Sequence, residues 1–168
     1  VELLLAGMAL GILFGVGGGL AMFALRGRAT EQALDGASTV MMAIPEFLWA
    51  ILLILFAGVS LKLLPFIGRL GPGIPLPPNT TGFLLVDALI SGRFEALRSA
   101  LLHLILPALA LAIGLAPLVM RVLRSSLFET YQDDYVAQAR LRGLSDRRIL
   151  LRHALPNAAL PTISLIGV

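Results

Sequence analysis

The stretch "ARLRGLSDRRILLRHALPN", residues 139–157, decides the fold, because it sets Arg140, Arg142, Arg147, Arg148 and Arg152 in a chain that is 58% hydrophobic and only 14% charged. Burying those five side chains at mid-bilayer would cost on the order of 12 to 17 kcal/mol, so the segment cannot cross a membrane. It is not a structureless loop either. Upstream, Leu127 or Phe128, Tyr131, Tyr135 and Ala139 recur at three- and four-residue spacing and mark one apolar face of a helix, with Asp133, Asp134 and Gln138 elsewhere on its surface. Gly143 is placed to end that helix in a left-handed conformation, and Ser145 to accept a backbone hydrogen bond as N-cap of a second. The second helix, from about Asp146 to Leu155, has Arg148 and Arg152 one turn apart and Ile149, Leu150 and Ala154 for packing. Pro156 then starts a further apolar helix as a favourable first-turn residue. Two short helices meeting at Gly143-Leu144-Ser145 thus form an elbow over residues 127–155.

The rest of the chain is greasier still. Mean hydropathy is +0.92, whereas a soluble domain is about half apolar and about a quarter charged. This composition belongs to a membrane. There is no cysteine, hence no disulfide and no thiolate metal site. The net charge of +3 would suggest nucleic acid in a soluble protein. Here the arginines lie beside apolar spans without interleaved aromatic residues, which points to orientation across a bilayer. The chain opens without an initiator methionine and stops at Val168 inside an apolar run, so it is expected to be a fragment of a longer polypeptide.

Four spans are expected, at about residues 3–25, 40–61, 101–122 and from 156 to 168 onward. Leu3 to Leu25 carries no charge and is long enough to cross the hydrocarbon layer of about 30 Å. It has no basic n-region and is too long for a signal-peptide core. Gly7, Gly11, Gly15 and Gly19 recur every four residues along it and form one packing face. The "GVGGG" at 15–19 is no phosphate loop, since neither a Lys-Ser/Thr nor a preceding strand accompanies it.

Arg26 and Arg28 end the first span, and a short polar turn through Thr30, Glu31, Gln32 and Asp35 leads to the second. Pro45 and Glu46 fall in its first turns. An intramembrane carboxylate is by default a candidate for a polar pathway, but a place one or two turns from the boundary favours the plainer reading, a Glu46 that reaches water or an arginine at the interface.

From Lys62 to Ala100, Pro65, Pro72, Pro75, Pro77 and Pro78 exclude a helix over "LPFIGRLGPGIPLPPNTTG" and predict an external loop. Asn79-Thr80-Thr81 matches a glycosylation acceptor, a pattern too short to carry weight alone. Asp87, Ser91, Glu95 and Arg98 then share one helical face, with Leu84, Leu85, Ala88 and Leu89 on the other, which predicts a short helix on the membrane surface. Pro107 and Pro117 predict that the third span is bent or locally broken. His103 stands alone at its start, without the second histidine of a metalloprotease motif. Arginines after the first and third spans place those segments in the cytoplasm and the proline-rich loop outside.

Physics alone admits two roles for the elbow: a rigid lever between a cytoplasmic partner and the spans, or a basic hairpin resting on anionic lipid. A family likeness bears on the choice. Residues 133–163, "DDYVAQARLRGLSDRRILLRHALPNAALPTI", resemble the EAA loop of ABC-importer permeases, with Ala139, Gly143, Leu155 and Pro156 at matching positions. Ala137, Gln138 and His153 depart from the usual pattern in the manner of the dipeptide, oligopeptide and nickel branch. "LLHLILPALALAIGLAPLVMRVLRSSLFE" (101–129) and "TGFLLVDALISGRFEALRSALLHLILPA" (81–108) look like the segments leading into that loop, and the proline-rich loop favours the B-type subunit.

The resemblance implies an all-α, polytopic transmembrane bundle of the type I ABC permease (MetI-like) fold, in a bacterial inner membrane. It implies a second permease subunit, cytoplasmic ABC ATPases that bind ATP and Mg, and an extracytoplasmic solute-binding protein. This chain would hold no cofactor or metal and catalyse nothing. The elbow would be the ATPase-coupling element, with Ala139, Arg140, Gly143, Leu144, Ser145, Arg147, Arg148, Arg152, Leu155 and Pro156 as its working residues. Pro45, Glu46, Pro107 and Pro117 are the candidates for a pathway through the bundle. An ion-coupled secondary transporter or channel subunit is the alternative; it would need more midplane charge or an inverted repeat.

Overall fold

The computed structural model describes residues 1–167, and every described element is helical. The helices are α1 (Glu2–Ala24), α2 (Ala29–Ala43), α3 (Glu46–Leu53), α4 (Leu84–Ile90), α5 (Phe94–Thr130), α6 (Asp134–Leu141), α7 (Asp146–Ile149) and α8 (Leu155–Ile166). Two wider π-helical segments prolong α3 (Ile54–Ser60) and α7 (Leu150–Ala154). Helices α1, α5 and the run Asp146–Ile166 are each long and apolar enough to cross a membrane, and α2 with the prolonged α3 makes a fourth, broken, candidate. The chain forms two compact units, Val1–Gly11 with Ile44–Gly114, and Ile12–Ala43 with the segment from Leu115 onward.

In the first unit, the proline-rich connection is pinned rather than loose. Glu2 at the start of α1 pairs with Arg69 at 3.0 Å and accepts the Leu85 N–H at 2.6 Å. The Ser99 hydroxyl accepts the Gly71 N–H at 2.8 Å, and Arg93 donates to the Leu76 carbonyl at 2.7 Å. The surface helix expected from Leu84 to Arg98 does not form as one piece. Gly92, at φ +68, ends α4: the Arg93 N–H reaches the Ala88 carbonyl and the Gly92 N–H the Leu89 carbonyl, the paired bonds of a glycine C-cap. Glu95 and Arg98 therefore belong to α5. The expected faces of α4 hold only in part: Leu84 and Ala88 are buried and Ser91 is exposed, but Asp87 is 3% exposed and Leu89 57% exposed.

Asp87 is inside because the loop before it needs an acceptor. Its carboxylate takes the Thr81 N–H at 2.7 Å, the Thr81 hydroxyl at 2.8 Å and the Gly82 N–H at 3.2 Å. Burial by itself would raise its pKa, but these hydrogen bonds outweigh it and hold the group below the usual carboxylate range. A folded pKa below the unfolded value of about 3.9 means the stabilisation is complete above roughly pH 4 and is lost as pH falls through the folded pKa. Protection of the Thr81 and Gly82 amides from hydrogen exchange is expected to hold at pH 5 and to fall on further acidification. In Asp87→Asn it is expected to be lower and flat across that window; a native loop with constant protection factors from pH 5 to 2 would contradict this.

In the second unit, the lower half of α1 lies against α5 along the glycine face. A Cβ on Gly15 would come within 2.5 Å of the Val119 Cβ, and one on Gly19 within 3.0 Å of the Met120 carbonyl oxygen. Higher on α1, in the first unit, Gly7 approaches Leu111 in the same way, at 2.8 Å. All four glycines of the face, Gly11 included, are buried. Missing side chains let two helices touch at backbone distance, which is how apolar helices associate where no hydrophobic force separates lipid from protein.

Three further expectations are corrected. Residues 29–43 are helix α2 rather than a polar turn, because Glu31 in its first turn reaches back to accept the Gly27 N–H at 2.7 Å and so caps it. The span expected at 40–61 is interrupted at Ile44–Pro45, where Pro45 takes ψ 143 and Glu46 starts a new helix. Helix α5, by contrast, runs unbroken for 37 residues through Pro107 and Pro117. Each proline removes one bond of the ladder, and the buried residues around them, Leu106, Ala108, Ala110, Ala112 and Ala116, pack the helix in place.

Candidate functional site

The elbow is built on two small cores. Phe23, Leu123, Leu127, Ala154 and Ala158 bury one another, with Leu150 and Leu155 packed alongside. Val136, Ala139 and Ile149 form the second, which joins the two arms of the elbow and is flanked by Tyr135 and Leu144. Tyr131 packs against both. Its ring lies 4.6 Å from that of Phe23 in an edge-on arrangement, and the guanidinium groups of Arg26 and Arg140 each stand 5.6 Å from its centre. Burial, reinforced by the nearby Asp146 carboxylate, raises its phenol pKa against the pull of the two arginines, so the hydroxyl stays protonated and points at the Asp146 carbonyl, 3.5 Å away.

The helix expected to run through the apolar face Leu127–Tyr131–Tyr135–Ala139 is two helices, because the chain turns at Tyr131–Asp133 between α5 and α6. Gly143 does take the left-handed conformation, φ +75. The Leu144 N–H bonds the Ala139 carbonyl at 3.2 Å and the Gly143 N–H the Arg140 carbonyl at 2.9 Å, closing α6 with a Schellman cap. Ser145 occupies the N-cap position of α7 at φ −66 and ψ 146, but its side chain makes no capping bond; its carbonyl accepts the Ile149 N–H instead. No atom would crowd a Cβ at Gly143, so substitution there costs only the backbone conformation, about 1–2 kcal/mol. In Gly143→Ala, exchange of the Leu144 amide is expected to quicken by about tenfold, and Gly143→Asn, a residue that tolerates φ above zero, is expected to recover part of the loss.

Beyond the tip, Pro156 lies in the first turn of α8, as expected, and α8 is joined directly to the second arm of the elbow. The run from Asp146 to Ile166 is continuous, with its π-helical turn just before Leu155-Pro156. A proline lacks the N–H that the carbonyl four residues before it would accept, and the widened turn absorbs the mismatch without breaking the rod. The second arm of the elbow is thus one piece with the helix that follows it.

Ala139 is buried at the joint, while Arg140, Gly143, Ser145, Arg147, Arg148 and Arg152 are exposed. Arg140 makes a loose ion pair with Asp146 at 3.7 Å. Among the described residues, Arg142, Arg147, Arg148 and Arg152 have neither an ion pair nor a hydrogen bond from their side chains. Sequence reasoning missed Leu141, which is 89% exposed at the end of α6; its signal was a leucine off the apolar spacing and between two arginines. It also missed the anchor beneath the elbow. Glu31 of α2 pairs with Arg124 of α5, whose Nε lies 3.0 Å from the carboxylate, and Arg121 donates to the Thr39 hydroxyl. Pairs 93 and 82 residues apart leave no local pattern.

Pro107 lines a cavity of about 530 Å³ with His103, Glu2, Arg69 and Phe83. Pro117 is fully buried. Pro45 and Glu46 lie at the break before α3, and the Glu46 carboxylate stands 3.2 Å from where a Cβ on Gly114 of α5 would be.

Residues 7–168 match the model of the family described as binding-protein-dependent transport system inner membrane component. The chain belongs to this family. The elbow that the sequence likeness singled out lies wholly within the matched region, and the family is one of membrane transport components rather than enzymes. The chain is 35% identical along its whole length to the di/tripeptide transport system permease protein DppB of Pseudomonas aeruginosa, covering 50% of that protein. It is 36% identical to the probable D,D-dipeptide transport system permease protein DdpB of Escherichia coli K12, covering 49% of it. To the putrescine export system permease protein SapB of the same organism it is 34% identical, covering 53%. The chain thus spans about half the length of the curated relatives it matches.

Proposed function

We propose that this chain is part of a permease subunit of an ATP-driven importer of small peptides, and that residues 127–155 couple it to a cytoplasmic ATPase. The observation that carries the reading is the form of the tip: a glycine-capped turn with an exposed leucine and unpaired arginines, set on a helix continuous with a span. Such a tip offers an apolar knob with a charged rim, the composition of a docking anchor. The continuous rod behind it turns displacement of the tip into displacement of the span. ATP and Mg belong to the ATPase in this reading. The glycine-rich segment of α1 is consumed by helix packing and is no phosphate site. ATP that binds the closed ATPase pair more tightly than the open one shifts the whole assembly toward the state with closed elbows.

The partners are a second permease subunit, two ATPases and an extracytoplasmic binding protein, assembled in a bacterial inner membrane with the elbow in the cytoplasm. Peptides lead over nickel because two of the three relatives above are named for di- or tripeptides. The absence of cysteine supplies the test. With Ser145→Cys in the full-length subunit, co-expressed with its ATPase and permease partners, cross-links to cysteines around the ATPase groove are expected, and their yield is expected to change with ATP. A thiol open to cytoplasmic reagents that never reaches the ATPase would favour the lipid-surface role. One reached only by external reagents would invert the topology and defeat the reading.

A further inference from the structure

Glu46 stands against the apolar stretch of α5. Its carboxylate lies against Gly114, and both residues are exposed on the surface of the chain. Gly114 stands 16 residues past Arg98 and seven before Arg121, inside a stretch of α5 with no Asp, Glu, Lys or Arg. At 1.5 Å per residue this puts Glu46 about 10 Å in from the nearer charge, well within the hydrocarbon layer. The lack of a side chain on Gly114 is what lets the carboxylate come so close to the backbone of α5.

The neighbourhood offers nothing to balance it. Among the described residues, Glu46 has no hydrogen bond or ion pair through its side chain. Phe47, Leu48 and Ile51 beside it on α3 are exposed and apolar. The helix whose first residue it is begins at the break made by Pro45, and a discontinuous helix at such depth is the form in which transporters present polar groups to a substrate. The free N–H groups of that first turn would by themselves attract an anion. Glu46 reverses the sign, so the position selects for a cation.

We propose that Glu46 is a binding station inside the membrane for a primary ammonium group, namely the α-ammonium of a peptide with a free N-terminus. This rests on the reading of the chain as part of a peptide permease. An α-amino group is protonated over most molecules near neutral pH, and a carboxylate without another partner binds it through a charge-assisted hydrogen bond. A station of this kind discriminates by chemistry that every unblocked peptide shares and is indifferent to side chains, as a path for varied peptides requires.

The test uses the full-length subunit with its permease and ATPase partners in lipid nanodiscs, without nucleotide or binding protein, and saturation-transfer NMR with dialanine and N-acetyl-dialanine as probes. The native complex is expected to bind dialanine, and N-acetyl-dialanine about tenfold more weakly or worse. Glu46→Gln is expected to lower dialanine to the acetylated level, while Glu46→Asp, which keeps the charge, retains most of the preference. Equal binding of the two probes by the native complex, or undiminished dialanine binding by Glu46→Gln, overturns the proposal and hands Glu46 to a basic group of the neighbouring subunit. Because the first contrast needs no variant, a misfolded Glu46→Gln does not remove it. ATP-dependent dialanine uptake with the binding protein separates the two levels. A native complex that imports dialanine but shows no charge preference sinks only the station, whereas one that neither imports nor binds it sinks the permease reading and the station together.

Discussion

Leu141→Asp is expected to leave the subunit folded and inserted while weakening its association with the ATPase by about tenfold or more, the loss typical of one central apolar anchor. The side chain is 89% exposed at the end of α6, and it belongs to neither of the small cores that hold the elbow together. A surface change of this kind moves stability by about 0.5 kcal/mol or less. An exposed leucine between Arg140 and Arg142 has no role in the isolated chain, so its apolar area is available to a partner. Aspartate removes that area and also offsets the positive rim. Detergent-extracted complexes can be compared for retained ATPase at graded dilution, with monodisperse elution as the check on folding. A Leu141→Asp subunit that holds its ATPase as tightly as the native one would remove Leu141 from the docking surface.

Gly15→Leu is expected to have the opposite profile, loss of the fold itself. A Cβ at that position would lie 2.5 Å from the Val119 Cβ and 3.1 Å from the Ala116 carbonyl oxygen, while one on Gly17 meets nothing within 4 Å. Overpacking a closed helix contact costs about 1–3 kcal/mol or more, and here the obstacle includes backbone, which cannot rotate aside. Gly15→Leu should lower the thermal midpoint in detergent by about 5 °C or more, or prevent accumulation altogether. Gly17→Leu, two residues away on the open side of α1, should match the native subunit. Equal behaviour of the two variants would show that α1 does not pack on α5 along this face.

These two residues divide along the line between what the chain announces and what it conceals. The four-residue spacing of Gly7, Gly11, Gly15 and Gly19 is a one-dimensional pattern, because an α-helix converts spacing directly into a face; it was legible without coordinates. The turn at Gly143 was legible for a similar reason, since a left-handed cap is a local backbone demand that glycine meets at least cost. Leu141 was not. Its meaning comes from exposure, and exposure is set by which neighbours happen to fold over a residue.

Proline misled in both directions. Pro45 was placed inside the first turns of a span and instead ends the helical path, whereas Pro107 and Pro117 were read as bending or locally breaking the third span and α5 is unbroken at both. A proline always removes one hydrogen bond, but whether the helix survives depends on packing around it, and packing is not local. The Glu31–Arg124 pair and the Tyr131 joint were hidden by distance along the chain. The approach of Glu46 to Gly114 was hidden in the same way.

The sequence by itself determined that this is a helical membrane chain, which face of its first span packs, where its arginine-rich elbow turns, and the family to which it belongs. All of these rest on composition or on periodicities that the backbone converts into geometry at short range. Only the tertiary structure decided that the elbow's second arm is one rod with the helix after it, that Leu141 stands clear at the tip, and that Glu46 meets Gly114 deep in an apolar stretch. Those are relations between residues brought together by packing, where each position's environment is supplied by parts of the chain that no local pattern names.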